Sequence, residues 1–408
     1  MSEPIKRISI EGFKSIRKLD IELKPLNVLI GANGAGKSNF VDFFGILRAM
    51  IERQFQDYIN KNRPTDGYFY NGVRYTKHIK ADLFFGEGCD YHFTLEPTKD
   101  SSVLIATESG QRHGQKMRFG GSLESQWWMW GFASGRLEAF RQEGPPPARW
   151  RRDAPQAPLD LKVYHFHDTS MTAGMRRQGA INDNEYLRQD GENLAAFLYG
   201  LQQAGSAPIR SMGGMPVRIS PEYSNIRDVV RLAAPYFDDF KLRPVTANPE
   251  LIQLEWTQKG SDYPFRPSQL SDGTLRFICL ATALLQPNPP ATMLFDEPEL
   301  GLHPYALTLL ASMFKQTAKS GRQVIVCTQS AALLNEFEPQ DVIVVDRADG
   351  QSTFRRLEQA DLSEWLKDYS LADLWQKNIL GGRPGGIVER SPSPDEPPPP
   401  PSPEGEGR

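Results

Sequence analysis

Cysteine is scarce in this chain: only Cys89, Cys279 and Cys327 occur among 408 residues, and they are scattered. That number and spacing exclude a disulfide framework and a cysteine-built zinc site; two of the three sit inside apolar runs, as reduced, buried thiols do. An excess of one charge is lacking too. The 47 lysines and arginines against 50 aspartates and glutamates leave a net charge of −3. No global basic field therefore points to nucleic acid, and any such contact has to be local. The longest apolar runs reach about nine residues, too short to span a bilayer. The opening "MSEPIKRISIEG" has no signal-peptide core. The expectation is a cytoplasmic protein without a membrane partner. Internal repeats and sustained heptads are also missing, which argues against a coiled-coil arm.

Proline and glycine, by contrast, are plentiful at 32 and 34 residues. The segment "EGPPPARWRRDAPQAP" reads as an exposed loop or flexible insertion. The tail "SPSPDEPPPPPSPEGEGR" is acidic and has no apolar residue to pack. It reads as disordered with polyproline II character, a solvated tail before a ligand for a proline-reading domain.

Between these segments the apolar pattern is ordered. "IKRISIEGF", "LDIELKP" and "LNVLIG" read as strands, and then the period changes. Phe40, Phe43, Phe44, Leu47, Met50 and Ile51 mark one stripe of a helix over 39–51. Residues 60–160 are a patchwork of short strand-like pieces with many glycines. "LKVYHFHD" reads as a strand, "ENLAAFLYGLQQA" and "EYSNIRDVVRLAAPYF" as helices, and "LIQLEWTQ" as strand-like. The last third alternates helix and strand through "ATMLFDEPE", a helix near 305–319, "RQVIVCTQS" and "DVIVVDR". That alternation predicts an α/β fold with a mainly parallel sheet covered on both faces.

The strongest motif is "GANGAGKS", Gly31 to Ser38, which fits G-x-x-x-x-G-K-[ST] without a mismatch between an apolar strand and a helix. Glycines let backbone N–H groups turn inward, and the helix N-terminus adds partial positive charge. Gly31, Ala32, Asn33, Gly34, Ala35, Gly36, Lys37, Ser38 and Asn39 are therefore the candidate phosphate-binding residues. Lys37 is placed to reach the β- and γ-phosphates of ATP, and the Ser38 hydroxyl to ligate Mg2+. In "TMLFDEPELGLHP" two carboxylates end an apolar strand. Asp296 is the candidate for the magnesium shell and Glu297 for the base that orients and deprotonates water. A strand end marked only by acids before Pro298 is the alternative. A third stretch, "LSDGTLRFICLATALL", opens with Ser271, Asp272 and Gly273 before an apolar run. Its start suits an anion, although the two polar residues also suit a helix N-cap.

No N-K-x-D motif follows, which disfavours a GTPase. The order of phosphate loop, "LSDGT", "LFDEPELGLHP" and "VIVCTQS" resembles the ABC-type ATPases of the SMC/RecF/OLD-like group. In detail "EGFKSI", "LIGANGAGKSNF", "YHFHDTS", "LSDGTLRF", "DEPELGLHP", "CTQS" and "GGRP" are similar to its small bacterial stand-alone, AAA-family branch. The resemblance covers residues 5–386. It implies a P-loop NTPase head of ABC type, built from 1–55 and 261–386, with an inserted α+β lobe and helical region over 56–260 and a tail over 387–408.

The resemblance also assigns the phosphate missing from "LSDGT". Ser271 and Gly273 would contact the γ-phosphate of ATP held by another copy, in a head-to-tail homodimer that sandwiches two nucleotides. Gly301, Leu302 and His303 would meet that partner, or His303 would pack on Pro304. Gln329 occupies a switch position where histidine is commoner. Glutamine carries no charge, so slow hydrolysis is expected. The glutamine that reaches magnesium in relatives has no unique counterpart, with Gln178 and Gln189 in the right region. The intervening chain has no heptads and the remainder no Glu…Asp-x-Asp cluster, so a DNA-tethering arm and nuclease activity are not expected. A separate effector or nuclease subunit would supply the nuclease activity. The function implied is an ATP-hydrolysing regulator in DNA repair or anti-phage defence. The alternative is a non-hydrolysing, nucleotide-dependent clamp on DNA or protein, and a transport subunit ranks third.

Weaker signals remain. Trp127, Trp128 and Trp130 fall within "ESQWWMWGF" and cannot all share one strand face, so a partner or stacking surface competes with lobe packing. "RWRRD" and "GMRRQ" are short basic clusters of the kind that is usually solvated. His165 and His167 alternate on a strand but lack a third zinc ligand.

Overall fold

The computed structural model describes residues 4–61, 64–86, 88–112, 115–125, 160–204 and 220–382. The Trp127–Trp130 cluster, "RWRRD" and the tail lie outside them. Arg7–Phe13 (β1) and Ile16–Glu22 (β2) pair antiparallel. Their alternation buries Ile8, Ile10 and Leu19 on one face and leaves Arg7 and Asp20 paired on the other at 2.7 Å. Leu26–Ile30 (β3) is buried at every position, as expected of a strand covered on both sides. Two helices follow, Lys37–Ile51 (α1) and Phe55–Lys61 (α2).

The patchwork region is more regular than its sequence indicates. Ile79–Gly86 (β4), Cys89–Pro97 (β5), Val103–Arg112 (β6) and Gln115–Ser122 (β7) extend the first two strands into one antiparallel sheet of order β2-β1-β4-β5-β6-β7. Ile79, Ala81, Leu83 and Phe85 alternate inward along β4. Register shifts between Phe84 and Gly86 and between Thr94 and Leu95 break the period where the pattern is hardest to read.

Leu161–Tyr164 (β8) joins a different sheet. Gly179–Ala180 (β9), Leu194–Ala204 (α3) and Pro221–Ala233 (α4) come next. Phe237–Phe240 (β10), Pro244–Val245 (β11), Asn248–Ile252 (β12) and Trp256–Gln258 (β13) form small sheets, with β9 beside β12. Asp272–Leu285 (α5), Thr292–Asp296 (β14), Pro304–Lys319 (α6), Gln323–Thr328 (β15), Val342–Ala348 (β16) and Gln351–Arg356 (β17) complete the head. The head sheet has order β17-β16-β3-β15-β14-β8, parallel except for the edge strand β17.

Side chains along these strands divide between two cores. Leu29, Ile325, Leu294 and Val163 face α1 and the antiparallel sheet. Val28, Val326, Phe295 and Tyr164 face α5 and α6. Because β3, β15, β14 and β8 run parallel, the loops after all four open on one edge of the sheet, where open α/β sheets place their ligands. No described helix is long and apolar enough to cross a membrane.

Candidate nucleotide site

The phosphate loop is shaped by what its glycines omit. A Cβ on Gly31 would lie 2.2 Å from Val345 O, and one on Gly36 would lie 2.0 Å from Ser352 Oγ. Gly36 also sits at φ 123°, a conformation that L side chains rarely adopt. Behind the loop, Ser352 Oγ donates to Ala35 O at 2.5 Å and lies 2.6 Å from Ser15 Oγ. Asn39 Nδ2 donates to that same Ser15 Oγ at 2.6 Å. The Asn39 amide thus braces the loop from behind, while Asn33 and Ser38 are exposed at its mouth. No side chain caps α1 at Gly36, so its first N–H groups stay free of a capping oxygen, as an anion site requires.

Lys37 is buried, and its ammonium donates to Gly31 O at 2.6 Å and Ala32 O at 3.2 Å. Burial lowers its pKa, while Cys327, Glu297, Asp296 and Glu299 oppose that shift. The first and last motifs are therefore electrostatically in one site. Burial pushes the Asp296 carboxyl up to about 6, offset by His167 and Lys37. Glu297 follows with φ 41°, a turn that costs a non-glycine residue about 1–3 kcal/mol. Its N–H donates to Cys327 O at 2.8 Å, and its Oε1 accepts from the Gln329 side-chain amide. Glu299 Oε1 accepts from Thr328 Oγ1 at 2.7 Å and from Gln329 N at 2.8 Å.

The start of α5 is a capped helix end. Ser271 Oγ accepts from Thr274 N at 3.1 Å and lies 2.8 Å from Thr274 Oγ1. Gly273 touches the loop after the acids, since a Cβ there would lie 2.1 Å from Gly301 O. Two buried arginines hold this region; Arg176 belongs to the "GMRRQ" cluster, of whose two arginines only Arg177 is solvated as expected. Arg176 donates to Thr169 O at 2.8 Å, to Asp272 Oδ1 at 2.7 Å, and to the carbonyls of Pro267 and Leu270. Arg276 donates to Phe166 O at 2.8 Å, to His167 O at 3.0 Å and to Leu300 O. Arg276 stood inside the quoted "LSDGTLR"; an arginine on an otherwise buried helix is the signal that marks it.

His303 caps α6, with Nδ1 accepting from Tyr305 N at 3.3 Å. Leu302 packs against the core beside it. His165 and His167 lie past the end of β8 with ring centroids 6.0 Å apart. The loop after β8 brings His167, not a glutamine, to Asp296, with Nε2 2.8 Å from Asp296 O. Gln189 instead accepts from Arg48 on α1, and Gln178 is exposed.

Residues 151–335 match the family described as "AAA domain, putative AbiEii toxin, Type IV TA system", and residues 4–84 match "AAA ATPase domain". Over 131 residues the chain is 29% identical to an OLD nuclease of Thermus scotoductus. That match takes in 28% of this chain and 24% of the nuclease, so the shared stretch is about a quarter of that protein. Among solved structures, an SMC head bound to the C-terminal winged-helix domain of ScpA is 16% identical. It has a TM-score of 0.54 and covers 89% of this chain and 99% of that one. An SMC head with an extended coiled coil, bound to the C-terminal domain of ScpA from Pyrococcus furiosus, is also 16% identical. Its TM-score is 0.51, covering 89% and 98% of the two chains. These two likenesses show the fold. The chain thus shares the head fold, and the residues around Lys37 and around Glu297 each lie inside a segment that matches an AAA-type ATPase family model.

Proposed function

We propose that the chain binds MgATP and hydrolyses it slowly, with Glu297 as the base. The observation that carries this reading is the Glu297 carboxylate, held by the Gln329 amide just past β15, the strand paired with β3 where β3 enters the phosphate loop. The N–H groups of Gly31 to Ser38 would cradle the phosphates, and Lys37 would exchange Gly31 O and Ala32 O for β- and γ-phosphate oxygens. Ser38 and Asp296 would hold magnesium, whose charge, when it is bound, neutralises that of the phosphates. Asn39 supports the loop through Ser15. Glu297 accepts a proton from water, and Gln329 fixes the orientation of the carboxylate without adding charge.

Ser271 and Gly273 would read the γ-phosphate of a second copy, giving a head-to-tail homodimer. Its ATP cycle would regulate a separate effector or nuclease subunit, with DNA as a candidate contact, in cytoplasmic DNA repair or defence. In this reading 1–55 and 261–386 carry the head's motifs, but 56–260 is not a separate insertion, since it supplies the edge strand β8 of the head sheet and the strands β4–β7 that pair on from β1.

Glu297→Gln tests the chemistry. Steady-state hydrolysis should fall by about 10²-fold or more, with ATP binding kept. Turnover independent of Glu297 removes the enzymatic reading and leaves the nucleotide-dependent clamp.

A further inference from the structure

Glu299 lies two residues beyond the proposed base, and nothing above uses it. Its side chain turns toward the end of β15. Oε1 accepts two hydrogen bonds, from Thr328 Oγ1 at 2.7 Å and Gln329 N at 2.8 Å. Thr328 Oγ1 accepts in turn from Ser330 N at 3.0 Å. The Glu299 carbonyl accepts from Leu302 N at 3.0 Å. One residue thus ties the end of β15 to the loop leaving β14.

Gln329 is consequently held at both ends by acids two residues apart. Glu299 takes its backbone N–H, and Glu297 takes its side-chain amide. A side chain leaves the backbone in a direction fixed by that residue's dihedrals, so anchoring Gln329 N aims its amide. Glu299 Oε2 is buried without a hydrogen-bond partner among the described residues, and burial raises the carboxyl pKa. Stability alone does not account for a buried acid with one oxygen unpaired.

We propose that Glu299 is a positioning residue, which fixes the backbone of Gln329 so that the Gln329 amide meets Glu297. This rests on the hydrolytic reading above for its kinetic effect, but not for its geometric one. Two measurements on the full chain separate the two: single-turnover ATP hydrolysis and hydrogen exchange of the segment 328–330.

Glu299→Ala should slow single turnover by about 10-fold or more while the Kd for ATP stays within about twofold. Glu299→Gln keeps an acceptor at Oε1 and should stay within about threefold of wild type. In a Gln329→Ala background, Glu299→Ala should add less than about twofold, because residues acting through one another are not additive. The Gln329 amide should exchange faster in Glu299→Ala and not in Glu299→Gln. Thr328→Val, which removes one donor at nearly constant volume, should speed the same exchange and serves if Glu299→Ala does not fold.

Additive rate losses, or an unchanged exchange rate at Gln329 in both Glu299→Ala and Thr328→Val, would overturn the proposal. If Glu297→Gln shows no loss of turnover, the hydrolytic reading fails, and the exchange rates alone decide whether Glu299 positions Gln329.

Discussion

A methyl group on Gly273 would lie 2.1 Å from Gly301 O, so α5 and the loop after Glu297 touch only because that side chain is absent. Gly273→Ala should lower stability by about 1–3 kcal/mol, as overpacking does, and slow hydrolysis; thermal melting and single-turnover assays check the two effects. A second prediction concerns the antiparallel sheet. His92 Nδ1 lies 2.5 Å from Asp82 Oδ1, and Nε2 lies 3.0 Å from Asp90 Oδ1. The Asp82 hydrogen bond raises the His92 pKa above its ordinary 6.5. The imidazolium therefore stabilises the fold fully below pH 6.5 and loses that effect as pH rises through the raised value. The melting-temperature gap between wild type and His92→Gln should shrink across that rise. At this scale the sequence was legible wherever chemistry demands a pattern, as in Gly31–Ser38 and Asp296–Glu297. It misread Arg176, placed in the usually solvated cluster "GMRRQ" but buried in the structure, and it named His167 without its partner. Arg176 binds mainly main-chain carbonyls and His167 the carbonyl of Asp296, and no residue pattern announces a carbonyl.

At the scale of elements, Arg276 joins three segments by their backbones: the end of β8, the loop after β14, and α5 itself. Arg276→Leu leaves the carbonyls of Phe166, His167 and Leu300 without this donor. The expected loss is about 2–4 kcal/mol, read by denaturant unfolding. Arg276→Lys should recover only part of it, because an ammonium lacks the planar fork that serves several acceptors at once. The parallel strands were legible because buried runs such as Leu26–Ile30 and Gln323–Thr328 are apolar almost throughout. The sheet over Ile79–Ser122 was not legible. Its strands alternate cleanly only between register shifts, and long-range pairing with β1 leaves no local mark.

For the whole molecule, the trans assignment of Ser271 predicts complementation. Ser271→Arg keeps its phosphate loop and Lys37→Ala keeps its α5 start, so each alone should be inactive. Mixed, they should regain hydrolysis through one intact composite site. Absence of recovery, with both variants folded, would place Ser271 in its own chain's helix cap alone. Assembly was not legible beyond the resemblance of "LSDGT", because a surface complementary to its own copy needs no pattern within one chain. The brace behind the phosphate loop bears on synthesis instead. Ser15 and Ser352 are 337 positions apart yet meet at Ala35. The Gly31–Ser38 loop emerges early from the ribosome, but its support arrives only when β17 does. The braced loop is therefore a property of the nearly finished head, and a nascent chain carrying Gly31–Ser38 has the motif without the brace.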